Sequence, residues 1–284
     1  MIRTNLLSNS PNHTIINKLG SFSVIEYEKD MSVSPEQAHT AYFASKMNIR
    51  KRQVVAKLEG NDVILQSGGM QMMIGKIEAS TNVKGAGDLM KKFVGSKVTG
   101  ETAIKPRYTG YGYLVLEPTY NYILLEDLRN WNGGMVTLDG LFLACDGTVE
   151  SKVTTRKTIS SAVLGDSGFF SNALVGKGVV ALESPVPQDE LIIVDMEDDV
   201  LKIDGNMAIA WSNSLKFTVE RTTSTLIGSS VSGEGLVNTY RGTGRVLIAP
   251  IQKNCNITSP AKDVQAQQLV EEHPDHYYKH EYDE

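Results

Sequence analysis

The sequence predicts an all-β protein with one short N-terminal helix, built from three tandem copies of one folding unit. Three observations carry that expectation. A Gly-x-Gly marker leading into an apolar run and a proline occurs three times: Gly110-Tyr111-Gly112 before YLVLEP, Gly176-Lys177-Gly178 before VVALESP, and Gly242-Thr243-Gly244 before RVLIAP. The second glycines stand at 112, 178 and 244, an even interval of 66 residues, with Pro118, Pro185 and Pro250 following at nearly constant distance. An upstream marker recurs in step, as SGGMQMM around Gly69, LDGLFLA around Gly140 and IDGNMAIAW around Gly205. Independent landmarks that agree in order and spacing are the signature of a repeated supersecondary unit.

Taken in chain order, residues 1–52 form a leader. TIINKLGSFSVIEYE, at 14–28, predicts one or two strands. Ser34-Pro35-Glu36-Gln37 then has the serine, first-turn proline and glutamine that open a helix. That helix is expected over about 14 residues, Pro35 to Asn48, with Lys46, Arg50, Lys51 and Arg52 suiting its negative end. The repeats follow as 53–118, 119–185 and 186–256. Each predicts four or so short strands, from runs such as VVAKL, DVILQ, YILLEDL, ELIIVD and LKFTVE. The Gly-x-Gly markers are expected as turns that open a strand, while EGND, NGG and DG supply positive φ. Such strands point to a sandwich, barrel or β-roll. One unit cannot bury its apolar face alone, so the three are expected to pack about a pseudo-threefold axis. Residues 257–284 end in EEHPDHYYKHEYDE and predict a flexible acidic tail.

Composition narrows the function classes. With 41% hydrophobic residues the chain can form a proper core. A net charge of −5 is the wrong sign for a protein that lives on phosphate backbones, so nucleic acid is not the expected partner. Cys145 and Cys255 lack companions at metal spacing and are expected as reduced thiols, Cys145 in a strand. No stretch has the apolar length of a membrane helix and MIRTNLLSNSPNHT lacks an apolar signal core, so the expected location is cytoplasmic.

Candidate chemistry is sparse. Gly165-Asp166-Ser167-Gly168 spells the surroundings of a serine-protease nucleophile, but that chemistry needs a histidine base and a buried carboxylate. Only His13 and His39 precede Ser167, one near the terminus and one in the expected helix. The Gly-x-Gly markers lack the third glycine and following helix of a dinucleotide loop. His273, His276 and His280 lie among Asp275, Glu281 and Asp283, where a solvated tail is favoured over a rigid metal site. Met70 and Met72 alternate beside Met73, the pattern of core packing rather than a soft-metal site. Arg50, Lys51 and Arg52 near Tyr42 and Phe43 have the make-up of a nucleic-acid or lipid contact, against the ordinary reading of a solvated helix cap. Trp131 and Trp211 are expected in the core or at a subunit contact. No catalytic, cofactor-binding or metal-binding residue is therefore assigned, and no cofactor is expected.

From Val54 to Pro250 the chain resembles the altered-inheritance-of-mitochondria (mitochondrial biogenesis) family. The resemblance is carried by SGGMQMMIGKIEAST, GSKVTGETAIKPRYTGYGYLVLEP, DGLFLACD, DGNMAIAWS and GSSVSGEGLVNTYRGTGRVLIAP. Pro187-Gln188-Asp189-Glu190 departs from the Pro-Gly-Glu turn of many relatives. The resemblance implies three double-stranded β-helix repeats, similar to the Trp RNA-binding attenuation protein, and assembly into a homotrimer. It implies no catalytic residue. The function expected is a non-catalytic scaffold or binding protein acting as a homo-oligomer. RNA or other nucleic-acid binding by fold analogy, and an enzyme of unrecognised type, stand as alternatives.

Overall fold

Antiparallel strands dominate the chain from the first hairpin onward. The computed structural model describes residues 3–81, 105–155, 170–221 and 236–251. Strands β1 (His13–Leu19) and β2 (Phe22–Tyr27) form that hairpin, turning at Gly20 with φ +55°. A 3-10 turn at Pro35–Gln37 leads into helix α1 (Ala38–Lys46), so the helical stretch is shorter than its pattern predicts. Ser34 stands at the cap position with extended backbone, yet its hydroxyl makes no cap bond. It serves the Glu36 carboxylate instead, lowering that group from its usual range. Only Ser45 of α1 is buried.

The remaining strands are β3 (Arg52–Leu65), β4 (Met70–Ser80), β5 (Arg107–Leu116), β6 (Tyr122–Asp127), β7 (Met135–Leu138), β8 (Phe142–Asp146), β9 (Val149–Thr155) and β10 (Phe170–Gly176). They are followed by β11 (Val179–Ser184), β12 (Ile192–Asp204), β13 (Ala208–Ser212), β14 (Lys216–Arg221) and β15 (Leu236–Ile248). An eight-stranded sheet runs β1-β2-β3-β8-β11-β6, with β5 also on β3 and β4 on β5. A seven-stranded sheet runs β12-β15-β13-β7-β10-β9, with β14 also on β15. The fold is mostly β with one short helix at the N-terminus, as the sequence predicts.

Among the described residues the segments 53–118, 119–185 and 186–256 hold three, six and four strands, against the four or so expected of each. In the first segment β5 lies in the middle between β3 and β4. In the third, β15 takes the middle place between β12 and the broken strand β13–β14. In the second, β10–β11 lies between β6–β7 and β8–β9. That middle repeat is broken at every strand, and its halves enter different sheets.

The first and third Gly-x-Gly markers sit inside β5 and β15 and do not open them, whereas Gly176-Lys177-Gly178 closes β10 and opens β11, as expected. Gly110 and Gly112 lie inside β5 at φ +131° and +147°, and a Cβ there would meet the Lys76 and Ile74 carbonyl oxygens at 2.1 and 2.0 Å. In β5 the marker is therefore a site of close strand approach, where only a residue without a side chain fits. Opposite it the partner strand bulges: the β3 register shifts between Glu59 and Asp62, and the β12 register between Met196 and Asp199. In the middle repeat the break is complete, at Gly176–Gly178.

Alternation along the bent strands divides the core. Val54, Ala56 and Leu58 join Ile123, Leu125, Val179 and Ala181 in one cluster of the eight-stranded sheet. Leu124, Val180 and Leu182, on the other face of the same strands, join Trp131, Trp211, Leu174 and Val246 in a second cluster. Val55, Ile25 and Val115 form a third, covered by Leu6, Leu7 and Ile15 of the N-terminal segment.

Candidate functional site

Function was sought first where charge and chemistry concentrate. The basic run behind α1 is internally paired. Arg50 Nη1 lies 3.0 Å from Glu26 Oε1 and 2.8 Å from Glu28 Oε2, and Lys51 Nζ lies 3.2 Å from Asp30 Oδ1. Arg52 is buried, with Nη2 at 2.7 Å from Glu26 Oε2 and its guanidinium 4.3 Å over the Tyr122 ring. Arg50 Nε also donates to the Ser45 carbonyl, and Arg52 Nη2 to the Asn48 carbonyl, which closes the helix end. These three cations are committed to the fold rather than displayed to a phosphate. Tyr42 and Phe43 lie half-exposed on the helix, packed edge to face at 5.3 Å.

A polar cleft of about 750 Å³ opens where β3 bulges, lined among others by Lys57, Glu59, Asn61, Asp62, Asp146 and Thr148. Its groups answer one another. Arg107 Nη1 donates to Asp62 Oδ2 at 2.7 Å and to the Gly147 carbonyl at 3.2 Å. Asp146 accepts from the Val179 amide at 2.8 Å and from Ser21 Oγ at 3.3 Å. Asn61 Nδ2 donates to Ser21 Oγ, while its Oδ1 accepts from the Glu59 amide. The hydrogen bond to Glu59 also holds the Lys57 ammonium above its usual range. Such bonds replace the ladder bonds a bulge gives up. Among the described residues no group of three or more His, Cys, Asp or Glu could hold a metal ion.

Cys145 is wholly buried in β8, and burial pushes its thiol up to about 12. A thiol that stays protonated is neither a nucleophile nor a metal ligand. His13 and His39 are not brought together: His13 Nδ1 bonds Ser10 Oγ at 2.8 Å, and His39 packs on Phe43 at 4.7 Å. Ser167, Cys255 and the histidine-rich tail lie outside the described residues. Trp131 and Trp211 are core residues, Trp131 Nε1 donating to Glu126 Oε2 at 3.3 Å. Glu126 is in turn raised above its usual range by burial.

The features that stand out are two strand edges. Among the described residues β4 hydrogen-bonds only to β5 and β12 only to β15, so each shows one unpaired side, as β1, β6, β9 and β14 also do. On them Met72 and Met73 are 41% and 42% exposed, and Ile192 and Ile193 51% and 53%. The expected core packing holds only for Met70, which packs on the first cluster. Met72 and Met73 are corrections: alternation marks a strand face but not whether a neighbour covers it.

Register shows why this exposure is unusual. Val55, Leu125 and Ile193 each pair with the residue three past the second marker glycine, namely Val115, Ala181 and Leu247. Val55 and Leu125 are buried, whereas Ile193 is open. On the opposite flank Met73, Cys145 and Trp211 each pair with the residue two past that glycine, namely Leu114, Val180 and Val246. Cys145 and Trp211 are buried, whereas Met73 is open. The Glu197-Asp198-Asp199 charges beside Ile192-Ile193 were the available sequence signal, since acidic runs on a strand mark an edge.

The model of the family described as Mitochondrial biogenesis AIM24 matches residues 45–251. An uncharacterized protein of Streptococcus pyogenes serotype M6 is 29% identical over 197 residues, spanning 66% of this chain and 77% of that protein. The crystal structure of a Streptococcus pyogenes protein superposes with a TM-score of 0.52 at 23% identity, covering 80% of this chain and 95% of its own. That likeness shows the mostly β fold alone. The family match takes in α1 from Ser45 onward and runs to residue 251, and the chain belongs to the mitochondrial biogenesis AIM24 family.

Proposed function

We propose that this chain is a non-catalytic β-rich scaffold or binding protein that works as a homo-oligomer. One observation carries the proposal: the edge strands β4 and β12 present open apolar side chains, Met72 and Met73 on one and Ile192 and Ile193 on the other. Edge strands that present apolar side chains are pairing templates, and natural proteins cover or blunt them. The non-catalytic half is supported by the inert Cys145 thiol and by the mutual pairing of the cleft carboxylates. A homotrimer is the assembly the family resemblance implies.

The test is light scattering or native mass spectrometry of the full chain at micromolar concentration. A single stable multiple of the chain mass, three for the trimer, is expected. A strictly monomeric mass overturns the proposal.

A further inference from the structure

We infer that the free edge of β12 pairs in antiparallel fashion with the free edge of β4 from a second copy, with Lys202 opposite the second copy's Met73. The pairing deepens the homo-oligomeric reading and rests on it.

Its register comes from the two inter-repeat pairings that the chain already makes. In the first, Val63, Ile64 and Leu65 of β3 pair with Asp146, Cys145 and Ala144 of β8. In the second, Met135, Val136 and Thr137 of β7 pair with Ser212, Trp211 and Ala210 of β13. Both join the later half of one repeat's first strand to the earlier half of the next repeat's second strand. Both also use the same register. Ile64 and Val136 pair with Arg107 and Ala173, each five residues before the second marker glycine. Their partners Cys145 and Trp211 pair with the residue two past the corresponding glycine.

By the same count, the third repeat's member of the first set is Lys202, which pairs with Thr239. The first repeat's member of the second set is Met73, which pairs with Leu114. Within the chain these two strands do not meet in a ladder. The rule therefore leaves one donor edge and one acceptor edge, and a second copy supplies each with the other. Antiparallel pairing then sets Ile203 opposite Met72, Leu201 opposite Ile74 and Asp199 opposite Lys76.

Side-chain chemistry suits that register. Ile203 and Leu201 meet Met72 and Ile74, and the outermost pair, Asp199 with Lys76, is of opposite charge, a favourable cross-strand combination. Lys202 replaces the Ile64 and Val136 of the internal junctions. Its methylene stem can lie along Met73 while the ammonium reaches water. A lysine at this position also keeps a lone edge from indiscriminate pairing. Because donor and acceptor edges differ, the contact is head-to-tail, and closing a ring pairs the 199–203 stretch of β12 and the 72–76 stretch of β4 in every copy, with Ile192 and Ile193 outside the ladder.

Cysteine cross-linking tests the register in the full chain. With Cys255→Ser as background, Lys202→Cys and Met73→Cys together are oxidised and run under denaturing, non-reducing conditions. Covalent multimers are expected from the pair and none from either single variant, since directly opposed strand residues fall within disulfide reach. A charge exchange tests it without a new bond. Asp199→Lys alone is expected to weaken association about fivefold, and Lys76→Asp added to it to restore association. If the unmodified chain is an oligomer but the cysteine pair stays monomeric on oxidation and the charge exchange does not rescue, the β12–β4 pairing is overturned alone. If the unmodified chain is a monomer, the homo-oligomeric reading falls as well.

Discussion

Arg52 Nη2 lies 2.7 Å from Glu26 Oε2, and the two side chains are only 2% and 11% exposed. The pair joins β3 to β2, and the same guanidinium donates to the Asn48 carbonyl and stacks on Tyr122. Removing one partner of a buried ion pair strands the other charge, at a cost of about 3–5 kcal/mol. Glu26 keeps Arg50 as a second partner, which places the expected loss at the lower end. Arg52→Met should therefore destabilise the protein by about 3 kcal/mol in urea unfolding. A loss below about 1 kcal/mol would show that Arg50 alone satisfies Glu26.

Cys145 gives a chemical test of the core. Its thiol is wholly buried and pushed up to about 12 by desolvation, so it lacks the thiolate that attacks disulfide reagents. In a Cys255→Ser background the folded protein should not react with a thiol reagent at pH 8, and one equivalent should react in denaturant. Reaction in the folded state at the free-thiol rate would place Cys145 near solvent and contradict the packing between β8 and β11.

The salt link between Arg241 and Glu220 ties β14 to β15 and makes stability depend on acid. Hydrogen bonds from Arg241 and then from Thr218 hold Glu220 at about 2 rather than the usual 4.5. A carboxyl depressed in the folded state stabilises it fully above the unfolded value. That contribution is lost as pH falls through the folded value. Wild type should thus lose stability relative to Glu220→Gln between about pH 4.5 and pH 2, read as the difference between their urea midpoints. The effect will be small, because both side chains are about one-third exposed and screened. Parallel midpoint curves for the two proteins would show that the link does not couple to folding.

What was legible in the sequence, and what was not, follows from where each signal originates. The 66-residue interval was legible because the second marker glycines, 112, 178 and 244, sit where an added Cβ would come within 2.0, 2.9 and 2.6 Å of a neighbour. The strand runs were legible from β-branched residues and alternation. Strand length was not, since a bulge such as Gly60-Asn61 looks like a turn when the partner strand is unknown. The openness of Met72 and Met73 was invisible for a related reason: the same apolar alternation marks Ala144 and Cys145 in a covered strand. The candidate site is a property of the missing neighbour rather than of the strand. The Arg50, Lys51 and Arg52 cluster was visible as charge, but its acidic partners Glu26, Glu28 and Asp30 lie more than twenty positions earlier and meet it only through the β2–β3 pairing.

The marker glycines themselves separate two kinds of constraint. Gly112 has φ +147° and its added Cβ would stand 2.0 Å from the Ile74 carbonyl oxygen, on a backbone held by pairing on both sides. Gly242 has φ +116°, but the nearest atom to its Cβ would be Leu215 Cδ2 at 3.8 Å, an ordinary contact. Alanine at Gly242 meets only the backbone penalty, about 1 kcal/mol. Alanine at Gly112 meets that penalty and must also push β4 away from β5, so about 3 kcal/mol or more is expected. Because β4 carries Met72 and Met73, Gly112→Ala should also weaken self-association measured by light scattering, at a concentration where the protein is still folded. Gly242→Ala should leave β4 in place, so any change in association would come through Asp199, its pairing partner on β12. Equal stability losses in the two variants would mean that the close approach of β4 to β5 is not what keeps glycine at the marker.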